Sequence, residues 1–448
     1  MSITETHIFF IGAGGIGMSA LARYLNARGK IVAGYDKEKT ELTEKLNSEG
    51  ISIQYNDDPE QVPQEFKDPG VLVVYTPAVK RAENRLLDYY FRSGNRVVKR
   101  AELLATISNS ARSIAIAGTH GKTTTSALLA HIMVENGLRV TAFLGGIVRG
   151  YESNLIDRGD EYVVVEADEY DRSFLHLYPE RAVVTSMDAD HLDIYGTEEE
   201  LHRAFVRFSS QVSGTLIYRS DLPLSGTDFA VEAPAAYSAQ NIRVAGGTYT
   251  ADFHTPAGVV HGVQIPLPGR HNVANALAAF ALCSSLGMEP GDIAGAMRTF
   301  GGIYRRFNVY EGKNGKVIID DYAHHPSELS ALYGTVRELY PDEQLLIVFQ
   351  PHTYTRTRDY WDGFVETLSK FDVPVLLPVY AAREHPLEGI NSPHLAEGIS
   401  KRNPQAVFVT KEHLFPLLER AEQRVILMVG AGDIGQLVPE IIRKNKEK

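Results

Sequence analysis

The stretch Ile114–Thr125 reads Ile-Ala-Ile-Ala-Gly-Thr-His-Gly-Lys-Thr-Thr-Thr, and its residue types suit phosphate. A short apolar run reads as a buried strand, a turn with two glycines follows, and Gly121-Lys122-Thr123 opens a helix. Backbone N–H groups of Gly118, Thr119, His120 and Gly121 face an anion in such a loop. Lys122 adds a point charge, and the Thr123 hydroxyl is placed to sit on Mg²⁺. The loop is a variant, because the strict G-x-x-x-x-G-K-[ST] pattern wants glycine where Ile116 stands. Lys122 is also the one lysine between Lys99 and Lys313, so lysine chemistry in that region falls to it.

A second glycine-rich turn, Gly12-Ala-Gly-Gly-Ile-Gly17, follows the first apolar run and precedes a helical stretch from Met18 to Ala27. Asp36 closes the next apolar run, nineteen residues after Gly17. That is the dinucleotide fingerprint in its proper setting, and alone it predicts an NAD-dependent dehydrogenase. The same backbone donors serve equally for the diphosphate of a nucleotide sugar, since helix dipole and N–H groups are indifferent to what hangs beyond. A further match, Gly430-Ala-Gly-Asp-Ile-Gly435, has too little chain after it for a βαβ unit and reads as a tight strand–helix turn.

Glu166-Ala-Asp-Glu-Tyr-Asp171 and Asp188-Ala-Asp-His-Leu-Asp193 each end a predicted strand. Strand ends are where parallel sheets bind ligands, and carboxylate, imidazole and hydroxyl together suit a metal ion carrying substrate phosphates. Glu166 and His191 are the leading candidates, against the plain alternative of two solvated acidic loops. His271-Asn-Val-Ala-Asn275 opens a helix, and Tyr304-Arg-Arg-Phe307 sits at a segment boundary, where paired arginines suit either an anion or the surface. Asp320-Asp-Tyr-Ala-His-His-Pro326 and Phe349-Gln-Pro-His-Thr-Tyr-Thr-Arg356 end two more strands, and two such clusters facing one cleft favour function over packing.

The elements that position these residues alternate short apolar runs with helical stretches, which predicts an α/β protein with parallel sheets. Strands are expected at Ile8–Ile11, Ile31–Tyr35, 71–75 and 96–98. A second group is expected near Ser113, 162–166, 182–186 and 214–218. The region 221–268 is expected to form antiparallel strands and turns, followed by a helix from about Val273. A third group falls at 316–320, 344–349, 373–377, 406–409 and 425–429. The 448 residues exceed one core and suggest about three domains, drawn at 1–108, 109–308 and 309–448.

With 44% hydrophobic and 23% charged residues, the composition is that of a globular protein. A net charge of −11 without a basic cluster disfavours a nucleic-acid surface. The single Cys283 sits in an apolar run and is expected to be buried and inert. No apolar run reaches the length of a membrane span, and no secretory leader is expected before the first strand. A cytoplasmic protein is expected, as monomer or homodimer.

Taken together and in order, Gly12–Gly17, Gly118–Thr125, Glu166–Asp171, Asp190–Tyr195, Gly269–Asn275, Arg305–Phe307, Asp320–Pro326 and Phe349–Thr357 resemble the Mur ligase family, which builds the peptidoglycan stem peptide by ATP-dependent amide formation. The resemblance spans essentially the whole chain. It implies a three-domain α/β fold: an N-terminal Rossmann-like domain for a UDP-sugar, a central P-loop ATP-binding domain, and a C-terminal Rossmann-like domain for the amino acid. It turns Gly12, Gly14, Gly15, Ile16, Gly17, Asp36 and Thr76 from NAD toward the UDP-sugar. It gives MgATP to Gly118, Thr119, His120, Gly121, Lys122, Thr123 and Thr124, with Thr123, Glu166 and His191 on the metal. His271 and Asn275 are expected at adenine, and Arg306 and Asp321 at the nucleotide. Lys122, His324 and Arg356 are the expected catalytic residues, the last two lining the amino-acid pocket.

Within the family, the branch joining L-alanine to the carboxylate of UDP-N-acetylmuramate fits best, through Arg305-Arg-Phe307 and Gln350-Pro-His352. The carbamylated lysine that bridges the metals in several other members has no counterpart, because no lysine lies between 123 and 312. Two residues depart from the pattern. Thr353 stands where some relatives show Arg, leaving Arg356 to meet a carboxylate. Tyr170 stands where many L-alanine-adding members show Ser. That tyrosine keeps open the tripeptide-recycling branch, which attaches L-Ala-γ-D-Glu-meso-diaminopimelate. A nucleotide switch that binds ATP without a UDP-sugar is the remaining alternative, and the strand-end histidines and arginines of the third segment argue against it.

Overall fold

The computed structural model describes residues 3–189, 192–312, 315–382 and 384–447. Three sheets are present. The first holds β1 (His7–Ile11), β2 (Ile31–Tyr35), β3 (Ser52–Gln54), β4 (Leu72–Tyr75) and β5 (Arg96–Lys99) in the order β3-β2-β1-β4-β5. All its pairings are parallel. The order reverses between β1 and β4, so the turn after β1 and Thr76 after β4 flank the switch point, where such sheets bind ligands.

The second sheet contains β6 (Arg112–Ala117), β7 (Val140–Val148), β8 (Ser153–Asp157), β9 (Tyr162–Ala167), β10 (Arg181–Val184), β11 (Thr215–Arg219), β12 (Thr227–Val231), β13 (Tyr237–Ala245), β14 (Thr248–Thr255) and β15 (Gly258–Ile265). Its order is β15-β14-β13-β12-β11-β10-β6-β9-β7-β8. β6 lies between β10 and β9 and is parallel to both, so the phosphate loop and the two acidic strand ends emerge side by side. Two features differ from expectation. β12 pairs parallel with both β11 and β13, so the region after 221 is not wholly antiparallel. The β7–β8 hairpin was not foreseen, because β7 ends in a bulged stretch between Phe143 and Val148 that breaks the alternation expected of a strand.

The third sheet runs β16 (Asn308–Glu311), β17 (Val317–Asp321), β21 (Val425–Val429), β18 (Leu345–Phe349), β19 (Val373–Leu376) and β20 (Val407–Phe408). Only β16 is antiparallel to its neighbour. β21 separates β17 from β18, so their terminal clusters stand on either side of the Gly430 turn.

The chain divides into two compact units, Met1–Ile242, Thr250–Pro266 and Asn272–Gly302 in one, and Arg243–Tyr249, Leu267–His271 and Ile303–Lys448 in the other. The first two sheets fall in one unit because they share a core. Ile8, Phe10, Leu72 and Val74 pack with Leu103, Leu104 and Ile107 of the helix Arg100–Ser108, and this cluster continues through Val165 and Phe174 to Phe205 and Phe208. Phe174 is fully buried, stacked on Phe208 at 5.2 Å and edge-on to Phe205 at 5.1 Å. Each such aromatic contributes on the order of 2 kcal/mol by burial. Cys283 is buried, and burial pushes its thiol pKa up, as an inert thiol requires. Among the described residues, no helix is long and apolar enough to cross a membrane.

Candidate functional site

The phosphate loop turns out of β6 at Gly118 and enters the helix Lys122–Glu135. Gly121 caps that helix at φ 85°, a left-handed conformation that penalises any side chain, and a Cβ there would collide with the Asn275 amide. No side chain caps the helix, so its first N–H groups face outward. The loop is held to the end of β10. His120 N donates to Ser186 Oγ at 2.8 Å, and the Thr119 and Ser186 hydroxyls lie 2.9 Å apart. His120 Nε2 stands 3.6 Å from Asp188. Thr124 is buried in the first turn.

Lys122 Nζ donates to Gly118 O and to Glu169 Oε2, each at 2.6 Å. Burial works against its charge, but the Glu169, Asp168 and Glu166 carboxylates outweigh it and hold its pKa above the ordinary lysine value. Glu166 collects three donors: Thr123 Oγ1 at 3.0 Å, Ser126 Oγ at 3.2 Å and Gly145 N at 2.6 Å. Burial still pushes its carboxyl pKa up, against those bonds and the Lys122 charge. A half-buried carboxylate bonded to a helix-terminal hydroxyl is a hard oxygen pair facing the phosphate loop. That donor set fits Mg²⁺, which takes one or two protein oxygens plus phosphate and water. His191, the third expected metal ligand, lies outside the described residues.

The first glycine turn folds against Thr76, with Gly12 at φ 85°. Asp36 Oδ2 accepts from Gly14 N at 2.8 Å and Oδ1 from Glu38 N at 3.1 Å, so this carboxylate closes the turn that it was expected to serve as a ligand group. Gly15 caps the helix Ile16–Ala27 without a side-chain bond, which leaves donors for an anion. Gly15, Ile16, Gly17 and Thr76 share one cavity of about 380 Å³ with Lys122, Glu166 and Asp168. Two glycine-rich turns, from two different sheets, therefore open into one space.

Arg100 lines the same cavity and was not singled out from the sequence. Its guanidinium passes over Gly17, where a Cβ would lie 2.9 Å from Nη1, and Nη2 stands 3.6 Å from Asp168. Next to it, Lys99 donates to Asp171 at 2.7 Å. Asp171 and Arg172 both adopt positive φ, at 52° and 55°, so the acidic strand end is conformationally strained where it meets these cations. The only sequence signal for Arg100 was a cation at a strand end, which is too common to select.

Asn275 is buried, touches the phosphate loop at Gly121 and donates to Asn272 Oδ1 at 3.1 Å. His271 belongs to the other unit, where its ring lies against Gly269.

That second unit gathers Arg306, Asp321, His324 and Arg356. Asp321 accepts from Phe307 N at 2.7 Å and Ala323 N at 2.8 Å. Burial pushes its carboxyl pKa up, with the Arg306 charge opposing. Arg306 lies over the Tyr322 ring at 5.2 Å. His324 Nδ1 is 3.0 Å from Tyr322 O, which makes Nδ1 the donor and leaves Nε2 to accept a proton. Burial lowers its pKa; Glu328 opposes the shift and Arg356 adds to it. The imidazole is thus held by a carbonyl, with Glu328 Oε2 3.4 Å from the same Nδ1. His325 instead caps the helix Pro326–Leu339 and meets Tyr360 edge-on at 4.4 Å.

His352 stacks on Tyr380 at 5.7 Å, with its pKa pushed down to about 4 by burial and the neighbouring His324 and Arg356. Arg356 Nη1 donates to His352 Nδ1 at 3.3 Å. Thr353 donates to Glu384 at 2.7 Å and Thr355 N donates to the same carboxylate at 2.9 Å, so Thr353 holds the loop together. The last glycine turn is filled by protein. Arg305 donates to the Gly430 and Gly432 carbonyls, and Gln350 Oε1 accepts from Ile434 N at 2.9 Å, which leaves no room for a dinucleotide.

Comparison with known proteins matches this arrangement in three pieces. Residues 7–112 match the Mur ligase family catalytic domain, 116–283 the Mur ligase middle domain, and 305–434 the Mur ligase glutamate ligase domain. The UDP-N-acetylmuramate–L-alanine ligase of Flavobacterium johnsoniae is 47% identical over 438 residues, covering 97% of each chain. That of Christiangramia forsetii is 46% identical over 439 residues, covering 97% of this chain and 96% of its own. Among solved structures, the UDP-N-acetylmuramate–alanine ligase of Thermotoga maritima superposes with a TM-score of 0.84 at 27% identity, covering 98% of this chain and 100% of that one. A murein peptide ligase from Psychrobacter arcticus shares the fold, with a TM-score of 0.72 at 21% identity and 98% of both chains covered.

Proposed function

This chain belongs to the Mur ligase family, and from that premise we propose that it joins L-alanine to the lactyl carboxylate of UDP-N-acetylmuramate, consuming ATP and releasing ADP and phosphate. One observation carries the reading: the glycine turn of the first sheet and the Lys122–Glu166 corner of the second share a single cavity. A UDP diphosphate on Gly15–Gly17 leaves its sugar carboxylate pointing toward the γ-phosphate held by the phosphate loop.

The carboxylate oxygen attacks the γ-phosphorus and ADP departs, giving an acyl phosphate. The L-alanine amine then attacks the acyl carbon, and phosphate leaves with the C–O bond electrons. Lys122 and the N–H groups of the helix it opens neutralise charge on the transferring group, where positioning and electrostatics supply most of the rate. Thr123 and Glu166 would hold Mg²⁺, which would supply further charge neutralisation at the phosphates. Asn275 lies toward the base. In the second unit, Arg356 receives the L-alanine carboxylate and neutral His324 takes the ammonium proton at Nε2. Domain limits of 1–108, 109–308 and 309–448 assign the UDP-sugar, ATP and amino acid in turn. Nucleotide substrates of this kind place the reaction in the cytoplasm.

Phosphate release from ATP with UDP-N-acetylmuramate tests the reading, comparing L-alanine with the diaminopimelate tripeptide. Release dependent on L-alanine is expected. Release only with the tripeptide moves the chain to the recycling branch and makes Tyr170 the deciding residue.

Two further outcomes are expected. Arg100→Ala should raise KM for UDP-N-acetylmuramate about tenfold, the scale of one charge-assisted anion contact, while KM for ATP stays within twofold. An unchanged sugar KM in steady-state kinetics rejects that role. The lowered His324 pKa keeps the ring neutral at pH 7, so kcat/KM for L-alanine should fall as pH drops below the usual histidine value. His324→Gln should remove that acid limb and cost about 10²-fold in kcat/KM. A pH profile that keeps the limb in this variant assigns it elsewhere.

A further inference from the structure

The two anion-binding turns sit on different sheets, so their separation depends on whatever joins those sheets. The β7–β8 hairpin touches both. On β7, the bulged stretch presents Gly145 N to Glu166 Oε1 at 2.6 Å. A Cβ on Gly145 would stand 2.9 Å from Thr123 Oγ1, so this strand forms a wall of the phosphate corner. On β8, Asn154 is completely buried and reaches the first turn of the helix Ile16–Ala27. Its Nδ2 donates to Ile16 O and to Ser19 Oγ, the latter at 3.1 Å. Its Oδ1 accepts from Arg23 Nη1 at 2.6 Å, and Arg23 is held in turn by Glu49 at 2.6 Å.

We propose that Asn154 is a positioning residue that fixes the distance between the UDP-sugar turn and the γ-phosphate corner. The inference rests on the ligase reading given above. Only an amide suits this place, because one short side chain must accept from a guanidinium and donate to a backbone carbonyl. The bond lands on Ile16 O, one residue beyond the Gly15 cap, so it acts on the turn that faces the diphosphate. Surrounding contacts hold the same two elements less specifically. Arg28 pairs with Asp157 at 2.7 Å, and Tyr24 meets Phe143 edge-on at 5.1 Å. These anchor the far end of the helix and the cavity wall, whereas Asn154 grips the helix start. A reacting carboxylate displaced by about 1 Å costs on the order of 10²-fold in rate, so a loosened turn shows in turnover before it shows in folding.

Full-length Asn154→Asp and Ser19→Ala variants test this beside the wild type. Aspartate keeps the acceptor for Arg23 but sets a carboxylate against Ile16 O, and alanine at 19 removes one partner of the amide. Phosphate release should show kcat down about tenfold and KM for UDP-N-acetylmuramate raised several-fold in N154D, with KM for ATP within twofold. The same pattern should appear at smaller amplitude in S19A. Titration calorimetry with UDP-N-acetylmuramate alone should show weakened binding at unchanged ATP binding. Wild-type kinetics in N154D overturn the proposal, as does an equal loss of ATP and sugar binding that follows a drop in Tm. If N154D does not fold, an S19A variant with wild-type sugar KM and kcat overturns it. A wild type that releases no phosphate with UDP-N-acetylmuramate and L-alanine rejects the ligase reading, a result separate from these.

Discussion

Lys122→Ala is expected to lower kcat by at least about 10³-fold while UDP-N-acetylmuramate still binds. This is the one lysine of the central region, and it stands at the helix start where charge builds on the transferring phosphoryl group. The structure adds a second consequence. Glu169 is fully buried and Lys122 bonds its carboxylate at 2.6 Å. Truncating the lysine strips a buried carboxylate of this partner, which costs about 3 kcal/mol and should lower Tm. Loss of activity could then be mistaken for loss of fold. The double variant Lys122→Ala/Glu169→Gln separates the two, because it removes the buried charge together with its partner. It should recover most of the Tm and none of the turnover. Turnover near the wild-type rate in either variant, by phosphate release, removes Lys122 from the chemistry.

Glu166→Gln is expected to dissociate stability from activity in the opposite direction. The carboxylate accepts from Thr123, Ser126 and Gly145, and burial raises its pKa. A raised carboxyl pKa means that the ionised form of this group is less favourable in the folded protein than in the unfolded chain. That penalty is present above the folded-state pKa and fades as pH falls through it. Glutamine removes the charge and keeps the shape. Its carbonyl still accepts from Gly145 and Ser126, and the Thr123 hydroxyl turns to accept from the amide. Tm without nucleotide should therefore hold or rise, while kcat falls about 10²- to 10³-fold and the Mg²⁺ concentration for half-maximal rate increases. Thermal scans and a Mg²⁺ titration of phosphate release check both halves. A variant with unchanged metal dependence places the cation on other residues.

Much of this was legible in the sequence because it is written locally. Short apolar runs predict β1, β2, β4 and β5 of the first sheet, β6, β9, β10 and β11 of the second and β17 to β21 of the third, with candidate site residues at the ends of β1, β6, β9, β17 and β18. The spacing of the glycine-rich turns marks two candidate anion sites. Where the local code was ambiguous, the reading missed. The β7 bulge hid a strand, and the turns after 221 suggested antiparallel pairing although β12 runs parallel on both sides. The spacing of Asp36 from Gly17 marks it as a candidate ligand group, and spacing does not report that its carboxylate also bonds the turn's own Gly14 N–H.

The sequence by itself determined which candidate groups the chain carries: glycine-rich turns, a strand-end carboxylate and strand-end imidazoles, each set by residue type within a few positions. Only the tertiary structure decided that Gly15–Gly17 and Lys122 open into one cavity, that Arg100 crosses Gly17 toward Asp168, and that Asn154 bonds the start of the helix Ile16–Ala27. Arg23 and Asn154 meet across 131 positions of chain. Periodicity and spacing report only neighbours along the backbone, and partners that far apart are chosen by how the sheets pack.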